Sequence, residues 1–141
     1  MTAWLLDTSV LIDALNGVVS IRQRLNQVAA EDRLLTSVLV LAELLYGVEC
    51  STRKQDNLRR LREELALFEI VPVTEGAAAH FARVKADLRR HGVTVGDVDL
   101  LLAATALELG ATLVTHDSDL LDHPIAGLRV ERWFTAPTPA T

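Results

Sequence analysis

Short apolar runs alternating with longer helical stretches fill this sequence, and that alternation leaves few folds open. The runs at 3–7, 33–37, 70–73, 112–115 and 128–133 are too short for helices and too apolar for surface loops. Between them, residues 10–16, 18–30, 38–49, 52–68, 75–91 and 97–109 carry apolar side chains at helical spacing. Strands separated by helices form βαβ units. The expected fold class is therefore α/β, with a mostly parallel sheet of four to five strands flanked by helices on both faces.

Local signals fit that plan. Gly17, Gly92 and Gly110 each stand where a helix should stop, and Thr36 or Ser37 stands where the helix at 38–49 should be capped. Pro72 cannot donate to a ladder, so the strand at 70–73 belongs at a sheet edge. No repeat or linker divides the 141 residues, so a single domain over 1–134 is expected, followed by a flexible tail over 135–141 that holds two prolines.

No apolar run reaches the ~18 residues needed to cross a bilayer, and Met1-Thr2-Ala3-Trp4 lacks the basic start of a secretion signal. The single cysteine, Cys50, is expected as a small core residue in a reducing compartment. A cytoplasmic protein without membrane association follows. The net charge of −5 by itself disfavours a polyanionic partner, yet the charge is unevenly spread. Residues 53–62 hold Arg53, Lys54, Arg59, Arg60 and Arg62 against Asp56, and residues 83–90 hold Arg83, Lys85, Arg89 and Arg90 against Asp87. Each run serves equally as a solvated helix face or as a patch for nucleic acid.

The acids out of place carry the chemistry. Asp7 ends the first apolar run, and Asp117 follows the fourth. In an open parallel sheet those positions face the ligand cleft beyond the strand ends. Glu43 stands in the middle of an apolar helix expected to be largely buried, where an unpaired carboxylate costs several kcal/mol. Asp99 falls in the first turn of a second apolar helix, where the helix dipole favours an anion. Taken singly, each has a structural explanation: a cap, a turn, a buried ion pair. Four acids at one end of one sheet are harder to explain that way, because carboxylates held close together stay ionised only beside a cation. Oxygen donors of this kind select Mg²⁺ or Mn²⁺, ions that also bind phosphates and activate water.

Four segments in order, Leu6-Asp7-Thr8-Ser9-Val10-Leu11-Ile12, Leu41-Ala42-Glu43-Leu44-Leu45-Tyr46-Gly47, Asp99-Leu100-Leu101-Leu102-Ala103-Ala104-Thr105-Ala106 and Thr112-Leu113-Val114-Thr115-His116-Asp117, together resemble a PIN domain. More narrowly, the chain resembles the VapC-type toxin ribonucleases of type II toxin–antitoxin pairs. The resemblance implies a metal-dependent endoribonuclease with Mg²⁺, or alternatively Mn²⁺, held by Asp7, Glu43, Asp99 and Asp117. It implies that Ser9 and Thr115 orient carboxylates, with Asp97 and Asp119 as further acids near the ion. It also implies an RNA substrate, a homodimer and a small cognate antitoxin that occludes the site. The apolar stripes of the helices at 18–30 and 52–68 would form a groove for the antitoxin.

Two other readings stay within the family: an RNA-processing nuclease without an antitoxin, and a catalytically silent scaffold binding RNA or protein. A phosphoacceptor receiver domain is disfavoured, since Asp7 has no acidic neighbour and the third strand ends in Val73-Thr74. None of His80, His91, His116 and His123 shares a ligand spacing with another; His116, beside Asp117, is expected as a solvated loop residue, with contact to substrate as the alternative.

Overall fold

The computed structural model describes residues 1–133; Phe134 and the tail expected at 135–141 lie outside them. The elements run β1 (Ala3–Leu6), α1 (Thr8–Leu15), α2 (Val19–Asn26), β2 (Arg33–Ser37), α3 (Val38–Glu49), α4 (Lys54–Leu65), β3 (Glu69–Val71), α5 (Glu75–Arg90), α6 (Asp97–Leu109), β4 (Thr112–Val114), α7 (Ser118–Asp122) and β5 (Arg129–Glu131). The five strands form one sheet in the order β3-β2-β1-β4-β5, and every pairing is parallel. Pro72 directly follows the edge strand β3, where its missing N–H costs no ladder bond.

With crossovers of the usual right hand, the order β3-β2-β1-β4-β5 puts α1–α4 on one face and α5–α7 on the other. The packing agrees, with α1 lying against α2, α3 and α4, and α5 lying along α6. The core sits on the central strands, where Leu5, Leu6, Leu35, Leu113 and Val114 are fully buried. Strand order reverses at β1, so the chain running from its carboxyl end enters the crevice where such sheets bind ligands.

Several expectations need correction. The helix α3 is not largely buried. It buries Val40 and Leu44 but exposes Val38, Leu45 and Tyr46 to 40%, 38% and 65%. Among the described residues it packs against β2, β3, α1 and α4, and its outer face is exposed. Glu43 is exposed with it, so no buried carboxylate has to be explained there. Of the stripes on α2 and α4, Ile21, Leu61, Leu65 and nearby Phe68 pack into the core, while Leu58, Leu61 and Leu65 also line a concavity with Leu41, Leu45 and Ile70. Cys50 is exposed at the end of α3. The helix α7 was not expected, and α2 and α4 are shorter than their apolar periodicity suggests.

Candidate active site

Asp7 is the first residue beyond β1 and also the N-cap of α1, so strand and helix join with no intervening turn. Its Oδ1 accepts the Val10 amide at 3.1 Å and the Ser9 hydroxyl at 2.9 Å, satisfying a donor that the helix start leaves open. Its Oδ2 accepts the Thr115 hydroxyl. With only 6% of its surface exposed, the Asp7 carboxyl is held in one orientation at the strand end. Thr115 is itself locked: buried, its amide donates to the Glu131 carbonyl at 3.2 Å and its hydroxyl accepts the Asp117 amide at 3.0 Å.

Asp117 caps α7, its Oδ1 accepting the Asp119 amide at 2.8 Å. Asp99 lies in the first turn of α6 and hydrogen-bonds Asp117. Burial raises the Asp99 carboxyl to about 7, with the Asp117 hydrogen bond and the charges of Asp117, Asp7 and Glu43 acting in the same direction. Glu43 reaches the same place from α3, and Thr8 Oγ1 donates to its Oε1 at 3.0 Å. Together Asp7, Glu43, Asp99 and Asp117 line a cleft of about 410 Å³.

The structure thus brings the four expected acids to one cleft and places Ser9 and Thr115 on Asp7, as expected of orienting groups. The two further acids behave differently. Asp97 turns to Lys85, whose Nζ is 2.8 Å from its Oδ1. Asp119 serves Asp117 through its backbone amide, and its own residue is exposed. Sequence reasoning missed two contributions. Thr8, next to Asp7 in the chain, gives its hydroxyl to Glu43 rather than to Asp7. It also expected a solvated His116, which instead lines the cleft with a side chain 17% exposed, its Nδ1 being 3.4 Å from Asp13 on α1. A polar residue on the cleft-facing side of α1 was the available signal for the second.

Among the described residues, no three acids close on a common point as a finished metal cage. The donor set still fits Mg²⁺ or Mn²⁺, which bind through one or two carboxylates and keep several waters and substrate phosphates. The raised Asp99 carboxyl is compatible with that, since added positive charge beside it would favour its ionised form.

A fold with its acids at the switch point of a five-stranded parallel sheet can now be set beside known proteins. The PIN domain family matches residues 4–125, and the chain belongs to that family. Ribonuclease VapC2 of Haemophilus influenzae is 32% identical over 134 residues, covering 94% of this chain and 99% of the relative. The tRNA(fMet)-specific endonuclease VapC of Shigella flexneri is 30% identical with the same coverage, 94% and 99%. The structure of VapBC2 from Rickettsia felis, bound to a DNA fragment from their promoter, superposes with a TM-score of 0.87 at 30% identity, covering 94% of this chain and all of that one. Within its family the chain stands with the VapC ribonucleases, the nuclease toxins of VapBC toxin–antitoxin systems.

Proposed function

We propose that this protein is a Mg²⁺-dependent endoribonuclease, working in the cytoplasm as a homodimeric toxin restrained by a small antitoxin. The observation that carries the proposal is the convergence of Asp7, Glu43, Asp99 and Asp117, from four separate segments, on one cleft at the sheet's switch point. A divalent ion held by these acids, Mg²⁺ or in its place Mn²⁺, would offset charge on the scissile phosphate and make the attacking water more acidic. Asp7, fixed by Ser9, Val10 and Thr115, gives the most rigid anchor. Asp99, its carboxyl raised by burial and by Asp117, Asp7 and Glu43, would favour its ionised form beside a divalent cation. Glu43, exposed and hydrogen-bonded by Thr8, would help hold the ion or orient a water molecule toward phosphorus. Hydrolysis by water leaves a 5′-phosphate and a 3′-hydroxyl.

A partner would find apolar surface on the outer face of α3, where Val38, Leu45 and Tyr46 line up, with Ile70 at the sheet edge. The testing experiment incubates purified protein with single-stranded RNA and with tRNA, the latter because of the name of the Shigella relative. Cleavage that requires Mg²⁺, stops with chelator and yields 5′-phosphate ends supports the proposal. Cleavage unaffected by chelator overturns it, and RNA binding without cleavage favours the silent scaffold.

A further inference from the structure

The acidic cleft shows a substrate more than carboxylates and hydroxyls. Of the side chains lining it that carry neither, Leu102 is 2% exposed and forms the floor, which leaves Val98 and His116. Val98 stands in the first turn of α6 between Asp97 and Asp99 and is 41% exposed, an open aliphatic surface beside the acids. No Phe, Tyr or Trp among the described residues lines the cleft, so the His116 imidazole is the flat ring it offers. That ring is well fixed. The Thr115 amide donates to the Glu131 carbonyl and the Asp117 amide to the Thr115 hydroxyl, which holds the backbone on either side of His116. Its Nδ1 faces Oδ2 of Asp13 at 3.4 Å, and Asp13 lies one turn after Ser9 on the same side of α1. Its Nε2 is buried. What the ring presents to the cleft is therefore mainly carbon, a surface for packing rather than for moving a proton.

We propose that His116 is a stacking platform for one unpaired base of the RNA beside the scissile phosphate, with Val98 as a second apolar contact and Asp13 as the positioning residue that sets the ring. The inference rests on the reading of the acids as a metal-binding, RNA-cleaving centre. Acids and hydroxyls suit an ion, its waters and a phosphate, but none of them offers a surface to the face of a base. Unpaired RNA is recognised by stacking its splayed bases on flat side chains, histidine among them. The chain carries a net charge of −5 and the cleft gathers four carboxylates, so attraction to phosphates gives RNA little hold there before an ion binds. A base seated on His116 supplies a hold that does not depend on charge. Because the ring is fixed before RNA arrives, little side-chain freedom is lost on binding. Every base has a π-face, so His116 strengthens binding without dictating one sequence.

The test melts each variant thermally and assays its Mg²⁺-dependent cleavage of single-stranded RNA. His116→Ala is expected to raise KM about five- to a hundredfold, the value of one stacked base, with kcat changed less than about threefold. His116→Phe keeps a flat ring without nitrogens and is expected to restore KM to within about threefold of wild type. Val98→Ser alters exposed surface and is expected to raise KM about two- to fivefold with Tm unchanged. Asp13→Ala is expected to raise KM about two- to fivefold alone and to add nothing to His116→Ala, as for a residue that acts through the ring. A second readout needs no turnover: Asp99→Asn protein is titrated with RNAs carrying 2-aminopurine at successive positions around the cut. Fluorescence is expected to be quenched at one position beside the cut, and the quenching to vanish when His116→Ala is added to Asp99→Asn. That titration decides the matter if His116→Phe melts well below wild type. If wild-type protein cleaves RNA but His116→Ala keeps its KM, or the quenching survives His116→Ala, the platform is overturned and the nuclease reading stands. A stable His116→Phe as impaired as His116→Ala shows that a ring nitrogen is what counts, and overturns the platform as well. If wild-type protein does not cleave RNA at all, the nuclease reading falls and takes the platform with it.

Discussion

At the residue scale, Asp99 carries the sharpest consequence. An unfolded aspartate ionises near 3.9, whereas here burial and the neighbouring acids raise the group to about 7. The folded protein therefore binds the extra proton between those values. The metal-free protein should lose stability as pH rises from about 4 to about 7, with no further loss from this group above that. Asp99→Asn removes the charge. The variant should melt higher than wild type at pH 8 without metal, match it near pH 4, and cleave RNA at least about a hundredfold more slowly. A variant that is fully active, or no more stable at pH 8, contradicts this account. Glu43→Gln tests a different point. Because Glu43 is exposed, Tm should stay within about a degree while activity falls roughly 10–100-fold. Thr115→Val keeps the buried shape but deletes the hydroxyl shared by Asp7 and the Asp117 amide. Chemical denaturation should show a loss of roughly 1.5–3 kcal/mol, the value of a hydrogen bond to a charged group.

At the element scale, the edge strand β5 is tied down by a cluster far from the acids. Arg24 of α2 lies over the rings of Trp4 and Trp133, 5.1 and 5.0 Å from their centroids, and pairs with Glu131 at 3.1 Å. Trp133 Nε1 donates to the same Glu131 carboxylate. The Glu131 carbonyl in turn holds the Thr115 amide, which places the hydroxyl that grips Asp7. Arg24→Ala should cost about 1–2 kcal/mol in a denaturant melt, from two stacked contacts and one half-exposed ion pair. It should also lower cleavage by loosening β5. Lysine should not restore either, because it lacks a flat group to stack on two indoles.

None of this cluster was legible in the sequence, since its members are joined only by the sheet closing β5 onto β4. The helix α6, by contrast, matched its expected bounds of 97–109, because Gly110 adopts φ 64° at its end and Asp97 and Asp99 mark its start. The acids at the strand ends were legible for a related reason: a carboxylate closing an apolar run is locally conspicuous. What stayed hidden was the direction in which α3 faces. Its apolar composition suggests burial, but composition does not tell how many layers lie over a helix, and β3 at the sheet edge leaves this one open.

For the whole molecule, that open face bears on how the protein exists in solution. Val38, Ala42 and Leu45 recur along one side of α3, with Tyr46 beside them and Ile70 at the neighbouring edge strand. Exposed apolar residues grouped in this way mark an interaction surface. A second copy is the occupant expected of a homodimer, and a helix face can meet its own twofold mate. Solution scattering at micromolar concentration should therefore give the mass of a dimer. Tyr46→Arg, which places a charge in the strip without touching the core, should give a monomer with an unchanged Tm. A wild-type monomer would defeat the dimer, and a dimeric Tyr46→Arg would move the interface elsewhere. The same variant separates assembly from toxicity. Expression of the wild-type chain alone should arrest bacterial growth, and Asp99→Asn should relieve the arrest through loss of catalysis. Tyr46→Arg should stay toxic, because Asp7, Glu43, Asp99 and Asp117 all come from one chain. Unrestrained growth despite confirmed wild-type protein would count against the toxin role, and relief by Tyr46→Arg would show that the site needs its dimer.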